Sequence, residues 1–177
     1  RQRRYHASMA TVPLDMWFTH KPTAALFRQQ AQYLSLLVHG VKHTHAELQS
    51  PQPATQRLGD LAWSLRRVQA MEARYGLRIS RVMAPPHHVC SLAAADLMLQ
   101  AGYEAACVGW LFLMRGNPQV SWRPDFGLQP AEFLGAGFPV VPRFNFAGQD
   151  PGRMALAAFF HQPIIMVGHH QDVAGGL

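Results

Sequence analysis

A chain of 177 residues has the length of one domain and enough material to bury a real core, and its 49% hydrophobic, 10% aromatic and 15% charged composition excludes intrinsic disorder. No apolar run reaches the roughly 18 residues that span a bilayer, and two cysteines, Cys90 and Cys107, are too few for a disulfide framework and favour a reducing, cytoplasmic setting. The net charge of +6 is no argument for nucleic acid, because three of the sixteen basic residues sit in Arg1-Gln2-Arg3-Arg4 and the rest are scattered without a basic stripe or recognition motif.

The expected elements alternate between strand and helix. Tyr5 to Leu14 reads as a strand and Pro22 to Gln30 as a short helix with proline in its first turn, where a missing N–H costs nothing. Tyr33 to Val38 is an apolar run of strand length that stops at His39-Gly40. From Ala54 to Tyr75 the residues Leu58, Leu61, Leu65, Val68 and Met71 step by three or four, which predicts a long helix with one buried face, closed by Gly76. Arg78 to Ala84 is a further strand, Ser91 to Ala101 a helix ending at Gly102, and Tyr103 to Val108 a strand. A less regular stretch holding Trp110, Trp122 and several prolines follows, its tryptophans fitting loop-covering core residues better than sugar-stacking platforms. Phe138 to Val141 then reads as a short strand, Asp150-Pro151 as the start of a helix reaching about Phe160, and Pro163 to Gly168 as the last strand. Strands joined by crossovers favour one compact domain over residues 1–177 built on a parallel sheet.

In parallel α/β folds the functional groups collect at the carboxyl ends of the strands. Here those ends carry Asp15, the segment His39 to His45, Pro85-Pro86-His87-His88, and His169-His170-Gln171-Asp172, and seven of the ten histidines fall in the last three. His39 and His43 have the spacing of metal ligands, with Gly40 letting the chain turn so that both imidazoles face one ion. His45 is an alternative to His43, and Glu47 is either an outer partner that fixes an imidazole tautomer or a helix-start carboxylate. His87-His88-Val89-Cys90 invites a second metal reading, since histidine and cysteine both bind zinc; Cys90 lies where a helix begins, which would favour its thiolate, although small buried cysteines are commoner than nucleophilic ones. Arg143, at the end of the Phe138 to Val141 strand, is either a residue that holds a catalytic carboxylate or a substrate anion or a partner in a surface salt bridge. No GxSxG elbow, HExxH helix, P-loop or dinucleotide fingerprint is present.

The run from Leu34 to His43, a strand ending in two histidines four apart, resembles the metal motif of the polysaccharide deacetylase-like (NodB-homology, carbohydrate esterase) superfamily. Val82 to His87 is similar to that family's proline-containing loop at the substrate groove, and Pro163 to Asp172 to its closing strand. The resemblance implies a distorted (β/α) barrel of about seven strands whose first strand, with the family's Asp-Asp pair, lies upstream of this chain, so that the domain is N-terminally incomplete. It implies metal-dependent removal of acetyl groups from an N- or O-acetylated sugar, with His39 and His43 on a divalent metal, zinc by default and nickel or cobalt as alternatives. Pro86, His87, His88 and Arg143 would bind substrate, and His169, His170 and Asp172 would carry proton transfer. The rival is a catalytically degenerate carbohydrate-binding module of the same fold. The expected partner is a carbohydrate or other acetylated small substrate, with neither nucleic acid nor a membrane span.

Overall fold

The computed structural model describes residues 6–14, 19–44, 47–122, 131–145 and 151–169. Its centre is a six-stranded sheet of β1 (Ala7–Thr11), β2 (Leu34–Val38), β3 (Ile79–Met83), β4 (Ala105–Val108), β5 (Glu132–Leu134) and β6 (Phe138–Pro142), in the order β1-β2-β3-β4-β6-β5. All neighbours are parallel except β5, which pairs antiparallel with β6 through a tight Gly135-Ala136-Gly137 turn. A separate two-stranded parallel sheet joins β7 (Phe144–Asn145) to β8 (Met166–Val167). The protein is thus a mixed α/β fold on a mostly parallel sheet. Among the described residues that sheet is open, with β1 and β5 at its edges.

The crossovers are α1 (Lys21–Gln29) between β1 and β2, α2 (Ala54–Tyr75) between β2 and β3, and α3 (Leu92–Ala101) between β3 and β4. The predicted stripe of α2 is the face that is buried: Leu61, Leu65, Val68 and Met71 all lie in the core. Its end is set by Gly76, whose φ of 65° is open to glycine at little cost and whose N–H reaches back to the Glu72 carbonyl. Ser91 starts α3 by accepting the Ala94 N–H on its hydroxyl at 3.2 Å. The short apolar helix α4 (Trp110–Gly116) follows β4, and α5 (Pro151–Phe159) links β7 to β8.

The core runs beneath the central strands, where Val38, Met83, Ala106, Val108 and Phe138 are completely shielded from solvent. Trp110 is buried and meets Trp122 edge-on at 5.4 Å, so both tryptophans serve packing. Behind them Asn117, also fully buried, accepts the Leu92 N–H and donates to the carbonyls of Cys90 and Leu113. That side chain ties the start of α3 to the end of α4. No helix among the described residues is long and apolar enough to cross a membrane.

Candidate functional site

The carboxyl ends of β1, β2 and β3 are stitched together by backbone. The His39 N–H donates to the Thr11 carbonyl at 2.7 Å, and the Ala84 N–H donates to the Val38 carbonyl at 2.7 Å. His39 Nδ1 lies 2.7 Å from the Ala84 carbonyl oxygen. A carbonyl can only accept, so the proton sits on Nδ1 and Nε2 presents its lone pair. Metal-binding histidines are ordinarily oriented through this kind of bond to a carbonyl. Burial is the largest influence on His39 and pushes its pKa down; the Ala84 bond opposes it, the charges of His43 and Arg143 add to it, and Glu47 opposes it.

Gly40 turns the chain immediately after His39, with a φ of 67°. Glu47 then grips the loop, accepting the Val41 N–H at 2.8 Å and the Lys42 N–H at 2.9 Å. Both carboxylate oxygens are therefore committed to backbone. That corrects the expectation of Glu47 as an imidazole partner: it shapes the histidine loop from outside. The loop brings the His43 ring to 4.7 Å from that of His39, tilted by 54°, and the His87 ring to 5.6 Å from that of His43.

Pro86 is fully buried and lies under Gly40, so it shapes the site from below. The next two residues, His87 and His88, both adopt left-handed backbone, with φ of 54° and 59°, and His43 does so with 56°. Such conformations are uncommon for residues other than glycine and gather at functional sites. His88 stacks flat on Phe112 of α4, ring centroids 4.5 Å apart. Its Nδ1 lies 2.9 Å from Arg143 Nη2, and a guanidinium can only donate, so this imidazole carries its proton on Nε2. Burial first, then the charge of Arg143, then those of His169, His39 and His87 push the His88 pKa down to about 4, so the ring is neutral at neutral pH.

Arg143 sits between β6 and β7, its N–H bonded to the Val108 carbonyl at 3.0 Å. The residue is 7% exposed, and its Nε is buried without a hydrogen-bond partner among the described residues. The neighbouring Cys107 thiol supplies no countercharge, since burial raises its pKa. Burial also lowers the pKa of Arg143 itself, yet a guanidinium stays charged under all ordinary conditions. His169 follows β8 on the surface, and its charge is felt at His88.

The ends of β2, β3, β6 and β8 thus bring six of the expected histidine and arginine residues into one region: His39, His43, His87, His88, Arg143 and His169. Asp15, His45, His170 and Asp172 lie outside the described residues. Among the described residues, no three histidine, cysteine, aspartate or glutamate side chains stand converged as a ready metal group. Cys90 is corrected as a reactive candidate: it is buried, and desolvation raises its thiol to about 12. Phe112 and the Ala84 carbonyl are parts of the site that the sequence pattern did not mark, the first because its segment gave no periodic signal. No protein-family model matches the chain, and no curated protein matches it significantly.

Proposed function

We propose that the protein is a metal-dependent hydrolase of the polysaccharide deacetylase type, removing an acetyl group from an N- or O-acetylated sugar. On this reading the described sheet is the larger part of a distorted (β/α) barrel. The observation that carries the reading is the pairing of His39, its Nε2 left open by the bond from Nδ1 to Ala84, with the His43 ring 4.7 Å away. Two imidazoles so disposed suit zinc, nickel or cobalt. A divalent ion held by these two residues would polarise the acyl carbonyl and lower the pKa of a water.

The chain's own residues supply the rest. Glu47 holds the His39 to His43 loop in register through the Val41 and Lys42 N–H groups. His88, kept as the Nε2–H tautomer by Arg143, is a neutral donor for a substrate oxygen. His87 and Arg143 bind substrate beside it. His169 or His170 protonates the departing amine or alcohol, and Asp172 joins them in proton transfer. A sugar-binding module of the same fold is the second reading, and it draws on the fact that Glu47, whose charge reaches His39, has both oxygens bound to backbone and unavailable as a base.

Metal analysis coupled to acetate release, with and without chelator, tests both readings. His39→Ala and His43→Ala should each lower metal content, while His169→Ala should spare metal and lower turnover. Sugar binding with metal bound and no acetate released would select the module. Unchanged metal content in both of the first two variants would remove the ligand assignment.

A further inference from the structure

Arg143 carries a buried charge that no described carboxylate answers. Among the described residues the ion pairs are Lys42–Asp60 and Arg81–Glu72, and neither involves it. Glu47 is bound to the Val41 and Lys42 N–H groups, and Asp96 to that of Ala136. The group beside Arg143 is the Cys107 thiol, which burial keeps protonated. A charged side chain so far from water is ordinarily paired, because leaving solvent is expensive and only an opposite charge in good geometry offsets it.

The guanidinium is only partly used. Its Nη2 donates to His88 Nδ1 at 2.9 Å, while Nε has no hydrogen-bond partner among the described residues. Backbone fixes the residue in place, since its N–H donates to the Val108 carbonyl at 3.0 Å and so anchors it at the carboxyl ends of β4 and β6. Ligands of parallel α/β sheets bind outside those ends. The place is sheltered without being sealed: Arg143 is 7% exposed and His88 half-buried. Accepting from Arg143 on Nδ1 leaves the His88 proton on Nε2, which puts a second, neutral donor there. One fixed positive charge with a neutral donor beside it balances one negative charge. A carboxylate, planar and singly charged, matches the fork of a guanidinium, whereas a phosphate dianion would bring an excess charge into the same sheltered place.

We infer that Arg143 and His88 form a binding site for a carboxylate carried by the ligand, so that the molecule accepted at these strand ends is acidic. On the hydrolase reading it is an acetylated sugar bearing a carboxyl group, not a neutral one. The anion site itself needs no metal and stands apart from that reading; only its assignment to an acetylated sugar rests on it.

The test titrates the full chain, with no metal added, with glucuronate, with its neutral counterpart glucose and with inorganic phosphate, following nitrogen-labelled arginine Nε–H resonances by NMR. Glucuronate should shift the Arg143 resonance and bind about tenfold more tightly than glucose, the share of one charge-assisted hydrogen bond. Phosphate should bind more weakly than glucuronate. Arg143→Met should abolish the preference and yet leave the chain as resistant to urea, since it removes an unpaired buried charge. Arg143→Lys keeps the charge without the fork and should lose most of the preference. Where Arg143→Met fails to fold, Arg143→Lys and the resonance of the unaltered chain decide. Equal affinity for glucuronate and glucose, phosphate binding as tight as glucuronate, or a preference that survives both substitutions overturns the inference. So does an Arg143 resonance unmoved by glucuronate, the sign of a carboxylate supplied by the chain itself. Acetate release then separates the two readings. Release from an acetylated sugar acid and not from its neutral counterpart is expected, and equal release from both sinks the acidic substrate class while hydrolysis stands. Glucuronate binding with no acetate released from either sugar sinks hydrolysis while the carboxylate site stands.

Discussion

Gly40 and Glu47 form a coupled pair, and a double-mutant cycle between them measures how firmly the histidine loop is set. A Cβ on Gly40 would collide with the Glu47 carboxylate and stand 2.5 Å from Pro86 Cγ, on backbone whose φ is 67°. Left-handed backbone costs a non-glycine residue about 1–2 kcal/mol. Expelling Glu47 also removes two hydrogen bonds from a carboxylate to N–H groups at 2.8 and 2.9 Å. A charge-assisted bond contributes about 1.5–3 kcal/mol when sheltered, and the bond to Lys42, which is exposed, lies below that range. Gly40→Ala alone is therefore expected to destabilise by about 3–5 kcal/mol. In a Glu47→Ala background the carboxylate is already gone, and the same change should cost only the backbone strain and the Pro86 squeeze, about 2 kcal/mol. The coupling of about 2 kcal/mol is read from urea denaturation of the four proteins, with the m-values checked for constancy. Additivity within about 0.5 kcal/mol would refute the claim that Gly40 is required because Glu47 occupies the space beside it.

Two further outcomes follow from ionisable groups whose pKa the fold shifts. Burial works to raise the Glu72 pKa, but hydrogen bonds from Arg81 and the Ile79 N–H, with the charge of Arg81, outweigh it and hold the carboxyl below its ordinary 4.5. A depressed folded-state pKa contributes stability that is present above the unfolded value and lost as pH falls through the folded one. The difference in unfolding free energy between the native chain and Glu72→Gln should therefore be constant near neutrality and shrink below 4.5; a difference independent of pH would sink the assignment. Cys90, its thiol raised to about 12, should resist alkylation in the folded chain and react fully in urea. Mass spectrometry after brief iodoacetamide treatment decides it, and rapid native labelling at Cys90 would restore the nucleophile reading.

Much of the fold was legible because the apolar pattern matched the local period. The helix expected over Ala54 to Tyr75 has those bounds in the structure, and the strand that stops at His39 ends at Val38. What escaped had no periodic signal. Trp110-Leu111-Phe112-Leu113-Met114 is apolar on every side, so α4 could not be told from loop or strand; Asn117, the Trp110–Trp122 contact and the stacking of His88 on Phe112 hold it. Strand β5 depends on pairing with β6 and on Asp96, whose carboxylate accepts the Ala136 N–H from 40 residues away. The expected strand from Pro163 to Gly168 narrows to Met166–Val167, since its partner β7 is only two residues long. For the site, the strand-end rule found the histidines that gather, but it carried no information about which nitrogen of each would be protonated.

That missing information decides the chemistry. His39 and His88 are the same residue type, both partly buried and both depressed in pKa, yet their partners can act in only one sense. The Ala84 carbonyl has no proton to give, so His39 must donate from Nδ1 and offer a lone pair at Nε2. The Arg143 guanidinium has no lone pair to offer, so His88 must accept at Nδ1 and offer a proton at Nε2. One ring is thereby left presenting a lone pair and the other a proton, and neither can exchange roles without losing its hydrogen bond. Leaving a sheltered group unpaired costs about 1–3 kcal/mol, more than tautomerising a free imidazole requires, so the assignment is enforced by the outer partners. The strand end of β3 supplies the carbonyl and that of β6 the guanidinium, which makes the parallel register of the sheet the element that differentiates the two histidines.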